Sequence, residues 1–92
     1  MSGKWNIFEL ANGHLSCENI SLGSQDIDKT EEIIEKHFGA GILRRRRIHV
    51  SYDCWSGVYI MPVWYGASEE IMSDCDEFIK EIYEFLKALE KQ

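Results

Sequence analysis

The sequence predicts an α+β fold: a ββαββα two-layer sandwich with an antiparallel-rich four-stranded sheet and two helices on one face. Three observations carry this. Asn12-Gly13 divides two short apolar-rich runs within residues 4–22, and a second pair of runs, 48–52 and 58–65, flanks "DCWSG". Each pair precedes a segment whose apolar residues recur at helical rather than alternating spacing. A sheet of this kind buries one face under its helices and leaves the other open. No linker, repeat or low-complexity tract interrupts residues 1–92, so the chain reads as a single domain.

Asn-Gly is a hairpin signal because it tolerates the positive φ angles of a type I′ turn. Residues 24–39, "SQDIDKTEEIIEKHFG", predict a short helix. Asp28 would cap its start with Glu31 in a capping box, and Gly39 would end it after Lys36 and His37. Ile27, Ile33, Ile34 and Phe38 are expected on its buried side. Next, Ile48, Val50 and Tyr52 alternate with Arg47, His49 and Ser51, the period of a half-buried strand. Pro62 lacks a donor, which predicts that the returning strand lies at a sheet edge, where it could also pair with a second copy. Residues 68–92 form the clearest helix. Ser68 sits at its cap, and Ile71, Cys75, Phe78, Ile82, Phe85 or Leu86, and Leu89 recur along one face.

Ninety-two residues support one thin core, and 45% hydrophobic content with three tryptophans argues for a folded chain. The start, "MSGKWNIFELANG", has no apolar run of signal-peptide length. The most apolar stretch, "VYIMPVWYGA", falls well short of the ~20 residues that cross a bilayer. The expectation is a soluble cytoplasmic protein without a membrane partner. Cys17, Cys54 and Cys75 are odd in number and widely spaced, which predicts reduced, partly buried thiols rather than a disulfide scaffold.

The net charge of −6 works against general binding to DNA or anionic membranes. It is also segregated. Residues 24–38 carry a net −3 and residues 68–92 a net −5, while residues 39–67 carry +3, through four consecutive arginines. On an extended strand Arg45, Arg47, His49 and Ser51 share one face, and Arg44, Arg46, Ile48, Val50 and Tyr52 the other. The apolar set must face the helices, so Arg45, Arg47 and His49 are expected on the open face, beside aromatics such as Tyr59, Tyr65 or Trp5. Such a face suits a nucleotide or single-stranded nucleic acid, through guanidinium–phosphate contacts and base stacking. Yet no RNP-like aromatic signature accompanies it, and sixteen acids make a poor field for a polyanion. Charge balance and protection of a sheet edge explain the arginines more simply.

Glu70, Asp74, Glu77, Glu81 and Glu84 are spaced 4, 3, 4 and 3 apart, one continuous acidic ridge on the last helix. Adjacent like charges each cost roughly 0.2–0.5 kcal/mol in isolated helices, and Lys80 can relieve Asp76 and Glu77, but nothing at helical spacing neutralises the whole ridge. Solubility alone would explain such a ridge; so would docking to a basic partner, with long-range attraction speeding association. Trp55, at the tip of the second hairpin, is a hot-spot candidate if exposed and a core residue if folded back.

Catalytic patterns are weak. His49 and Cys54, an odd number of residues apart, point to opposite faces of a regular strand, so a nucleophile–base pair with Asp53 is not expected. His14-x-x-Cys17 is half a metal site with no second half. "FGAG" at residues 38–41 follows a helix, where a phosphate loop would precede one. No catalytic set, metal site or cofactor is expected. The reading that follows is a non-enzymatic protein-binding inhibitor, of the immunity or phage anti-defence type, that occludes a basic, nucleic-acid-handling site on its partner. Glu70, Asp74, Glu77, Glu81, Glu84 and Trp55 would make the contact. That step is an analogy of size and charge. The alternative is nucleotide or single-stranded nucleic-acid binding through Arg45, Arg47 and His49.

Overall fold

The computed structural model describes residues 4–91. Strands β1 (Asn6–Glu9) and β2 (Leu15–Asn19) are followed by a 3-10 turn (Ser24–Asp26), α1 (Ile27–Phe38) and a one-turn helix α2 (Ile42–Arg45). Then come β3 (Ile48–Asp53), β4 (Gly57–Pro62) and α3 (Glu69–Leu89). The architecture is α+β, with an open four-stranded antiparallel sheet in the order β1-β2-β4-β3.

That order corrects the expectation for Pro62. β4 lies between β2 and β3, so neither of its sides is a free edge for a second copy; the edges are β1 and β3. Proline is tolerated because it ends the strand. The Val63 N–H donates to the Arg47 carbonyl (2.8 Å), and ladder alternation then turns the Pro62 nitrogen toward β2, beyond the last registered pair Cys17↔Ile60. No ladder bond is lost.

Both hairpins form; the second turns within "DCWSG" as expected, whereas the first has a three-residue loop in place of a two-residue Asn-Gly turn. At the first, the Leu10 N–H donates to the His14 carbonyl (2.7 Å) and the Gly13 N–H to the Leu10 carbonyl (2.9 Å). Only Gly13 takes a positive φ (89°), so the turn is not type I′; the Asn12 side chain instead accepts from the His14 N–H. At the second, Asp53 Oδ1 accepts from the Trp55 and Ser56 N–H groups (2.9 and 2.6 Å). Gly57 closes that loop at φ 72°, where a Cβ would collide with the backbone of Asn19 and Ile20. Any side chain there would force that backbone to shift.

α1 begins two residues earlier than expected. Asp26 is its cap residue and Asp28 lies inside the first turn. The Asp26 carboxylate is drawn back to the Gly23 N–H (2.8 Å) by the preceding 3-10 turn, and the Thr30 hydroxyl donates to the Asp26 carbonyl. Ile34 is buried, with Ile27, Ile33 and Phe38 packed around it as expected. Ser68 does cap α3, accepting from the Ile71 N–H (3.2 Å). The buried stripe of α3 is Met72, Cys75, Phe78, Ile79, Ile82 and Leu86, rotated so that Ile71 is 38% exposed. Apart from Met72, the stripe shares one core cluster with Ile48, Val50, Val58 and Ile60 of a single sheet face. α3 lies over β2 and β4 and α1 over β3, and Phe38 joins Phe78 and Phe85 between the helices. Both long helices therefore cover the same face. No helix among the described residues is long and apolar enough to cross a membrane.

Candidate functional site

The arginine run is not part of the strand. Arg44 and Arg45 belong to α2, Arg46 is its C-terminal cap, and Arg47 makes the bend with φ 57° before β3 starts at Ile48. The extended alternation that put Arg45, Arg47 and His49 on one open face is therefore absent. Leu43 explains the change: it is buried, and one helical turn carries it inward while the arginines stay at the rim. His49 is on the open face opposite Met61, with Ser51 opposite Tyr59. Trp5 is in the core, and Tyr65 lies beyond β4 at the sheet end.

Three of the arginines have partners. Arg45 Nη1 donates to the Ala40 carbonyl (2.7 Å), and Arg47 Nη2 donates to the Tyr65 carbonyl (2.6 Å). The Arg46 guanidinium stands 4.3 Å from the Phe78 ring centroid, a cation–π arrangement. Its carbonyl accepts from the Cys75 thiol (3.4 Å).

The acidic ridge is assembled as a surface. Glu70, Asp74, Glu77, Glu81 and Glu84 are all exposed, and among the described residues the row contains one ion pair, Glu77 with Lys80 (3.3 Å). Two other carboxylates, Asp76 on α3 and Glu90 at its C-terminal cap, lie off the row and have structural duties. Asp76 accepts from the Leu15 N–H (3.0 Å) and pairs with His14 Nδ1 (2.9 Å), holding β2 to the helix. Glu90 accepts from the Trp5 N–H (2.8 Å) and pairs with Lys87 (3.3 Å), holding the start of β1. Sequence spacing does not reveal these ties, because their partners lie 61 and 85 residues away in the chain.

Trp55 is 84% exposed, so it does not fold back on the core. It stands at the far end of the β3–β4 ladder from Arg47, about 17 Å away at the usual strand rise. α3 starts beside the arginines, passes Leu15 at Asp76 and reaches Trp5 at Glu90. It thus runs toward the end that carries Trp55.

The nucleophile pattern does not assemble. Asp53 is engaged in its own turn, and Cys54 lies in that turn, past the end of the strand that carries His49. Cys54 is exposed; Cys17 and Cys75 are buried. Burial, with Glu18 beside it, pushes the Cys17 thiol up to about 12, and burial raises Cys75 despite Arg47 and Arg46 nearby. Among the described residues no three His, Cys, Asp or Glu side chains are grouped to hold a metal ion. Compared with protein-family models, curated proteins and solved structures, the chain matches none of them.

Proposed function

We propose that this protein binds a partner protein through the exposed carboxylate row of α3 and so occludes a basic, nucleic-acid-handling site. The observation that supports this reading is the division of labour along one helix. Asp76 and Glu90 hold the first hairpin in place, whereas among the described residues Glu70, Asp74, Glu77, Glu81 and Glu84 make one ion pair, Glu77 with Lys80. Lys80 beside Glu77 and the arginines near Asp74 offset the row's mutual repulsion at two points and leave the rest uncompensated. A cationic groove would offset it, and the row would stand where phosphates otherwise bind. Trp55, exposed at the end toward which α3 runs, supplies an apolar anchor of the kind found at hot spots. An inhibitor of the immunity or anti-defence class, acting in the cytoplasm, fits this chemistry.

The test is affinity capture from the source cell, identification of the captured protein, and measurement of its association rate. Glu77→Lys with Glu81→Lys should slow association with a basic partner at least about tenfold at low salt, while the melting temperature stays level or rises. The wild-type protein should also displace an oligonucleotide from that partner. An unchanged association rate removes the row from the contact.

A further inference from the structure

A second surface, which meets the acidic row only at Asp74, joins the arginines to a segment with exposed aromatic side chains at the sheet end. We propose that the arginine turn at residues 44–47 and the segment at residues 63–65 bind a small phosphate-bearing aromatic ligand, a nucleoside monophosphate. Two hydrogen bonds knit these segments together: Val63 N–H to the Arg47 carbonyl and Arg47 Nη2 to the Tyr65 carbonyl. Tyr65 is 93% exposed and Trp64 39%, so neither ring is spent on the core.

Arg47 concentrates two costs. It is the one non-glycine residue at positive φ among the described residues, and its Nε is buried without a hydrogen-bond partner. Glycine would satisfy that backbone without strain. What arginine adds is a guanidinium held between two shallow clefts. One, of about 270 Å³, is walled by Arg45, Arg46 and Arg47; the other, of about 420 Å³, by Arg44, Arg47 and Val63. Guanidinium groups along both walls suit phosphate oxygens. Tyr65 and Trp64 line neither cleft, but the segment that carries their exposed rings is bonded to Arg47, so a base reaching out of the cleft would stack there.

Charge selects the size of ligand. Asp74 borders the first cleft, Glu31 and Glu35 the second, and the chain carries a net −6. A long strand would meet all of these carboxylates, whereas one phosphate meets chiefly the local arginines.

The experiment is a backbone amide NMR titration of the full chain with adenosine 5′-monophosphate, and separately with inorganic phosphate, an end-blocked oligoadenylate and a hexaglutamate peptide. The nucleotide should give saturable shifts at residues 44–47 and 63–66 that weaken as salt rises. Arg47→Gly, which relieves the backbone, and Tyr65→Ala, which removes an exposed ring, should each weaken binding about tenfold or more with the fold intact. Neither variant alters the α3 row, so partner association through that row should persist in both. Absence of saturable shifts overturns the proposal. So does equal affinity for phosphate alone, which denies the aromatic half, or for hexaglutamate, which denies phosphate recognition. Tighter binding of the oligonucleotide overturns the single-phosphate selectivity.

Discussion

Replacing Asp76 with alanine should cost far more than its place on a hydrophilic helix suggests. Its two oxygens serve two donors, the Leu15 N–H at 3.0 Å and His14 Nδ1 at 2.9 Å, and its side chain is only 20% exposed. Hydrogen bonds to a charged group contribute roughly 1.5–3 kcal/mol each, and partial access of water lowers that range. A combined loss of about 2–3 kcal/mol follows, which for a domain of this size lowers the melting temperature by about 10–20 °C. Glu77→Ala is the control. That residue is next in the chain, its side chain is 68% exposed, and its one partner is Lys80, so it should shift the melt by no more than about 3 °C. His14→Ala should fall between the two, because it leaves the Leu15 N–H bonded. Circular dichroism melts of the three variants decide the matter. Equal melts for Asp76→Ala and Glu77→Ala would show that Asp76 does not hold the first hairpin to α3.

Three further outcomes are expected. Gly57→Ala forces a left-handed residue with its Cβ into the Asn19–Ile20 backbone and should cost at least about 2 kcal/mol by urea titration; a neutral result refutes that close approach. In the folded protein at pH 8, a thiol reagent should label Cys54 rapidly and leave Cys17 and Cys75 until denaturant is added; rapid labelling of all three would contradict their burial. The Glu31 carboxyl is raised by partial burial and by Asp28 and Glu35, against an opposing effect of His49. Its ionised form therefore disfavours the folded state above the raised value, and that penalty fades as pH falls toward the ordinary carboxylate range. Glu31→Gln should accordingly be more stable than wild type at pH 7 and indistinguishable from it at pH 3, as read by denaturant titration at each pH.

The legible parts of the candidate surfaces were those written in short-range periodicity. The 4, 3, 4, 3 spacing of the acidic row holds on any α-helix through residues 69–89, so its continuity did not depend on packing. The arginines were misplaced because a four-residue helix leaves no periodic trace. The alternation of Ile48, Val50 and Tyr52 was extended upstream across residues that α2 and the Arg47 bend remove from the strand. The aromatic partners of the arginines were equally hidden. Tyr65 reads as the end of an apolar strand, and only the stop at Pro62 turns it out beside Arg47.

The sequence by itself determined the order of the four strands and two long helices, the places of both hairpins, the Ser68 cap and the apolar side of each long helix, because turn chemistry and side-chain period act within a few residues. Tertiary structure alone decided that β2 pairs with β4, which makes the proline strand central and leaves β1 and β3 as the edges. It also decided which carboxylates of α3 are structural. Asp76 and Glu90 differ from their neighbours only in what lies opposite them once the first hairpin is laid against the helix. A hydrogen bond across 61 or 85 residues depends on how the layers dock, and no local pattern in the chain encodes it.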